Sequence, residues 1–196
     1  AFVEMPGMCE TGEDLRKLVG KEAYYESFKD DPVVHLYTLK EGGEAPVEAL
    51  EKLAEALGVD VDLRTPATRQ AEARKLHCAY GMKSTMFIVD KLRAWADENG
   101  RKLMVLLSYD VPSYIEYITK GERFDEMFVA YLEANQITYV DFLTKKAEEF
   151  KAYRLPLEQF LERFYIERAG AQVFGHYRPY GNFWFAFALR EALVNW

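Results

Sequence analysis

Hydrophobic and polar positions follow two different rhythms along this chain, and the changes between them lay out its elements. Residues 33–39, Val-Val-His-Leu-Tyr-Thr-Leu, form a compact β-rich run between an Asp-Asp-Pro breaker and Gly42-Gly43, which predicts a buried strand. From Pro46 the spacing turns helical: Val47, Leu50, Leu53, Ala54 and Leu57 share one face, and Gly58 stops the run. Val59, Val61 and Leu63 then alternate with Asp60 and Asp62, which predicts a second short strand. A strand, a helix and a strand with brief connections make the unit that builds parallel sheets.

Residues 66–99 carry a helical pattern with a break near Gly81. Met82, Met86, Phe87, Val89, Leu92, Trp95 and Ala96 fall inward, and Asn99-Gly100 ends the run. Lys102 to Tyr109 is the strongest strand; its continuous apolar run implies burial on both faces, as in the centre of a sheet. A helix around Phe124, Met127, Phe128, Tyr131 and Leu132 follows, then a strand over 137–142 and helices over about 143–153 and 156–167. Residues 1–20 read as a short strand, a turn through Pro6, Gly7 and Gly12, and a polar helix. In the last stretch, Gly170 to Trp196, His176 falls in a loop, Gly181 turns the chain and Asn182 caps a helix. Phe183, Trp184, Phe185, Phe187 and Leu189 leave that helix no polar face for two turns, which predicts packing on most sides. The sum is about five strands alternating with helices: one three-layer α/β/α domain over residues 1–196 with a mostly parallel sheet.

Composition narrows the partners more than the fold. With 196 residues, 49% of them hydrophobic, the chain buries an ample core, and a net charge of −7 with scattered Lys and Arg argues against nucleic acid or an anionic membrane as main partner. No apolar run spans a bilayer. The chain opens on Ala1 rather than Met, which fits a processed or truncated chain and leaves open an exported protein whose signal has been removed. Two cysteines, Cys9 and Cys78, define neither a disulfide framework nor a metal site. No Gly-rich phosphate loop and no spaced metal-ligand cluster is present, so neither cofactor nor metal is expected.

Candidate chemistry is sparse. A histidine just before an apolar helix is held rigidly and titrates near neutrality, which suits His176 to general-base work; the alternative is a partly buried histidine bonded to a carbonyl. Cys9 falls near the start of the polar helix, where the dipole sharpens a thiolate, or is simply a small loop residue. His77-Cys78 lies on a helix with side chains about 100° apart, a poor metal pair and a structural one. Asp110, Pro112 and Ser113 fall at the carboxyl end of the best strand, where open α/β folds bind ligands. Asp141 either lines that cleft or caps the following helix. Ser84, Ser108 and Ser113 are further hydroxyls, none in a nucleophile-elbow setting.

The end of the chain resembles the SGNH/GDSL hydrolases. His176, Pro179, Gly181, Asn182 and Ala186 fit that family's closing motif, and the likeness covers roughly the last hundred residues. The resemblance implies a flavodoxin-like parallel sheet and acyl-ester hydrolysis or transfer on a small ester or an acylated carbohydrate, with His176 as base. It places Cys9, in Gly7-Met8-Cys9-Glu10-Thr11-Gly12, where the family has its serine, and Gly42 or Gly43 at the oxyanion block. The third block, near residues 64–68, has no Asn, and Val173 stands where an Asp often precedes the histidine. Two other readings stay open: a domain without catalysis that binds a carbohydrate or a protein in the same cleft, and a flavodoxin-like or receiver-like domain. A hydroxyl or thiol within reach of His176 favours the enzyme; a ring facing only carbonyls or solvent favours the binder.

Overall fold

The structure, a computed structural model, describes residues 28–168 and 171–196. The described residues divide into two compact units, with the boundary between Lys83 and Ser84.

In the first unit, α1 (Pro32–Lys40) occupies the stretch expected to be a strand. Asp31 accepts a hydrogen bond from the Val33 N–H at 2.7 Å, and Pro32 at the first helical position has its φ already set. These start signals outweigh the weak strand preference of Val33, Val34 and Thr38. Helix α2 (Glu48–Leu57) follows the expected pattern, with Leu50 and Ala54 buried and Gly58 in the left-handed conformation at its end. Residues 59–63 form no strand. Asp62 turns the chain instead, accepting from the Arg64 N–H at 2.9 Å and the Thr65 hydroxyl at 2.6 Å, and this carries Leu63 into the core. Helix α3 (Arg69–Glu98) runs without a break at Gly81, and the division between the units falls inside it. Its first half contributes Ala73 and Leu76 to a core otherwise made of Leu36, Leu39, Leu50, Ala54 and Leu63.

In the second unit, β1 (Met104–Leu107), α4 (Val111–Lys120), α5 (Glu126–Ala134), β2 (Thr138–Asp141), α6 (Phe142–Ala152), α7 (Leu157–Glu162), β3 (Tyr165–Arg168), β4 (Ala171–Tyr177) and α8 (Pro179–Asn195) follow the second half of α3. Strands β1 and β2 pair in parallel, with Met104 opposite Thr138 and Leu107 opposite Asp141. Strands β3 and β4 form a separate antiparallel hairpin, with Tyr165 opposite Tyr177.

The five-stranded parallel sheet and the three-layer α/β/α, flavodoxin-like architecture are therefore not found. Helices dominate the described residues, and the parallel sheet has two strands. Two expected strands are a helix and an unpaired segment, and β1 is not buried on both faces, because Leu106 is 47% exposed. Its apolar run reports high β-propensity rather than a central position.

Candidate functional site

The end of β4 and the start of α8 hold the residues with the most chemistry, and local bonds fix both. The Phe164 carbonyl accepts from the Arg178 N–H at 2.8 Å, and the Tyr165 carbonyl accepts from Arg178 Nε at 2.8 Å. Gly181 lies inside α8, not before it, and a Cβ there would stand 2.3 Å from the Phe164 oxygen. Close approach, not a turn, is what requires glycine at this position. Asn182 is likewise inside the helix; Arg178 is the capping residue and Pro179 opens the first turn.

His176 belongs to β4 rather than to a loop, and its ring is exposed, with no hydrogen-bond partner among the described residues. Its neighbour Tyr177 is tied down: the hydroxyl lies 2.9 Å from Ser108 Oγ at the carboxyl end of β1, and the ring packs on Tyr165 and Phe185 at 5.3 and 4.3 Å. Successive strand residues point to opposite faces, so the bond that holds Tyr177 on Ser108 turns His176 away from that hydroxyl. Ser113 is engaged with the Asp110 carboxylate as part of the α4 cap, and Ser84 Oγ is buried without a partner among the described residues. Cys9 lies outside the described residues. Gly42 and Gly43 close α1 in the first unit, Gly42 with φ of 86° and Gly43 packed on Thr38, which leaves no room for a Cβ. His77 packs edge-on against Tyr37 in the first unit; burial and the nearby Lys40 lower its pKa. No cluster able to hold a metal occurs among the described residues.

Asp141 does cap α6, accepting from the Leu143 N–H at 2.9 Å and the Thr144 N–H at 3.4 Å. It also receives Arg123 Nη1 at 2.8 Å. The same guanidinium donates to both Asp125 oxygens and, at 2.8 Å, to the Tyr109 hydroxyl, which itself donates to Asp125 at 2.7 Å. Burial works against the Arg123 charge, but Asp125 and Asp141 outweigh it and raise its pKa; burial and the Asp125 bond raise that of Tyr109. Every acidic and basic group here has its partner, so the cluster locks the segment before α5 to the end of β2.

Helix α8 supplies a different kind of surface. Trp184 is buried and Phe185 meets the Phe142 ring at 4.9 Å, so one face is inward. The other is open: Phe183 and Phe187 are 70% and 62% exposed, with ring centres 6.4 Å apart and planes within 14°. Phe187 then enters a groove of about 420 Å³ shared with Ala188, Arg190, Glu191, Val194 and Asn195 of α8 and Lys145 of α6. The expectation that this helix is packed on most sides fails, because an all-apolar run states what the helix is made of and not what covers it. The i, i+4 spacing of Phe183 and Phe187, with Arg190, Glu191 and Val194 one and two turns on, is the sequence signal for this face. No helix among the described residues is long and apolar enough to cross a membrane. In comparisons with known proteins, the chain matches no family model, no curated protein and no solved structure.

Proposed function

We propose that the second unit is a binding domain for a neutral carbohydrate, held on the outer face of α8. The observation that carries this reading is the pair of exposed, nearly parallel rings of Phe183 and Phe187 leading into the groove. A pyranose has an apolar face of C–H bonds, and laying it on an aromatic ring removes both surfaces from water. Its rim of hydroxyls needs mixed donors and acceptors, and Lys145, Arg190, Glu191 and Asn195 supply both around one apolar floor. The groove has the volume of a small-ligand site, while a stable protein interface needs about 800 Å² from each partner.

Native electrophoresis through gels containing soluble neutral polysaccharides (a mixed-linkage glucan, a xylan and a mannan) tests this. The chain is expected to be retarded in at least one gel. Phe187→Ala should weaken the retardation by about tenfold or more, since losing a central aromatic anchor costs about 2 kcal/mol. Unchanged migration of the parent chain in all three gels rejects the reading.

Ester hydrolysis with His176 as general base is the second reading. The likeness of residues 176–186 to the closing motif of the SGNH/GDSL hydrolases supports it, together with the exposure of the His176 ring. Against it stands the lack, among the described residues, of a hydroxyl or thiol bonded to that ring.

A further inference from the structure

Lys146 is the one fully buried basic residue among the described residues, and what surrounds it is aromatic. Its Nζ has no hydrogen-bond acceptor there. It lies 3.4 Å from the ring centre of Phe164, 4.1 Å from Trp184, 4.9 Å from Tyr114 and Phe185, and 5.4 Å from Tyr165. Burial lowers its pKa to about 7, with Glu149 pulling the other way, and burial raises that of Glu149, whose Oε2 is itself buried without a donor among the described residues.

The groups facing this pocket give the ammonium little else. From α4 comes the Tyr114 hydroxyl, which faces the Tyr165 hydroxyl of β3, and the latter donates to the Tyr109 carbonyl at 3.0 Å. From β4, Tyr177 is engaged with Ser108; after α7, Arg163 stacks on Tyr153 and Tyr180 and acts on Glu149. Tyr180 at the start of α8 is bonded to Tyr153 at 3.0 Å, and α8 otherwise presents only the uncharged Trp184 and Phe185. Among the described residues, Glu149 is thus the single carboxylate whose field reaches Lys146. Ring faces attract a cation, but they accept none of its N–H protons, and complete removal of an ammonium from water without an acceptor is the larger cost. The neutral amine fits the pocket with no such cost.

We propose that Lys146 is a proton-operated latch on the C-terminal helix: with the amine neutral, Trp184 and Phe185 close over it, and on protonation α8 lifts so that the ammonium reaches water. Helix α8 is the element that moves because it has the least behind it. Its outer face is exposed, whereas Tyr114, Phe164 and Tyr165 are each fully buried.

Acrylamide quenching of Trp184 fluorescence tests the latch. The whole chain is used, with the other two tryptophans replaced as Trp95→Phe and Trp196→Phe. Quenching is expected to rise several-fold as pH falls from 8.5 to 5.5, and to stay low throughout in Lys146→Met. A flat profile in the Lys146-containing chain, or the same rise in Lys146→Met, overturns the proposal. If Lys146→Met loses its far-UV circular dichroism at pH 8.5, hydrogen exchange of the unaltered chain decides. Protection of the amides of residues 183–195, corrected for intrinsic rates, should fall at least tenfold between pH 8.5 and 5.5, and protection that holds constant overturns the proposal.

Discussion

The two units solve the burial problem with different materials. The core of the first is Leu36, Leu39, Leu50, Leu63 and Leu76 with Ala54 and Ala73, side chains that have no proton to gain or lose. The core around α6 and α8 has Tyr114, Phe164, Tyr165, Trp184 and Phe185 gathered about a lysine, with Phe142 and Phe160 packed on Trp184 and Phe164. An aliphatic core is indifferent to pH and is damaged mainly by cavities. An aromatic core enclosing an amine and three raised tyrosines makes stability a function of proton concentration. The difference shows that similar burial does not mean similar response, and it can be tested unit by unit through hydrogen exchange.

The largest effects should come from volume. Leu39→Ala removes a wholly buried side chain and should cost the first unit about 2–5 kcal/mol, read as lost protection of the α1 and α2 amides at every pH. In the second unit, Gly181→Ala drives a methyl group to within 2.3 Å of a backbone oxygen and should destabilise α8 by about 3 kcal/mol or more, seen in the amides of 183–195. If α8 absorbs that methyl group without loss, its close seating on the residue 164 backbone is not what holds it.

The pH dependence comes next. The Lys146 amine binds its proton near pH 7 in the folded chain and near its ordinary 10.5 when unfolded. The unfolded chain therefore carries the extra proton between those values, so the stability of the second unit rises with pH across that window and is lowest below 7. The upper limit is set by Tyr109, Tyr114 and Tyr165, whose raised pKa values make the unfolded chain lose protons first above about pH 10, so that stability falls again there. Urea unfolding followed by near-UV circular dichroism should show a maximum near pH 9, and Lys146→Met should remove the rising limb. The first unit should show no such limb between pH 7 and 10.5; His77, whose pKa is lowered on folding, adds a rise with pH only below its ordinary 6.5.

Smaller still, Asp31→Ala removes the cap that makes 32–40 a helix and should cost about 1 kcal/mol, read in the α1 amides. Arg64→Ala breaks the 2.6 Å pair with Glu51 on the surface and should leave the unfolding midpoint unchanged.

Local signals were legible where the pattern and the punctuation agreed. The stripe of α2 with Gly58, the stretch that became α5, both parallel strands and the Asp141 cap could all be read from spacing. Residues 33–39 carry the β-branched and aromatic side chains of a strand, but Asp31-Pro32 just before them caps and opens a helix, and that start signal decides. Residues 59–63 alternate as a strand does, but alternation cannot supply a partner strand. The hairpin of β3 and β4 is not legible in the pattern, because Tyr165 and Ile166 continue the helical spacing of the residues before them, and the strand setting of His176 depends on that hairpin. The exposed face of α8 and the buried Lys146 depend on what packs where. Still, Lys146 sits at the inward spacing of Phe142, Leu143 and Phe150, a lysine on an apolar stripe, and that was visible.

The most direct test of binding against catalysis is turnover of a short-chain aryl ester by the purified chain beside His176→Ala. A second unit that binds through α8 should give equal, background rates in both. A parent rate that exceeds His176→Ala by about a hundredfold or more, the lower range of general-base catalysis, contradicts that account and makes His176 a catalytic residue.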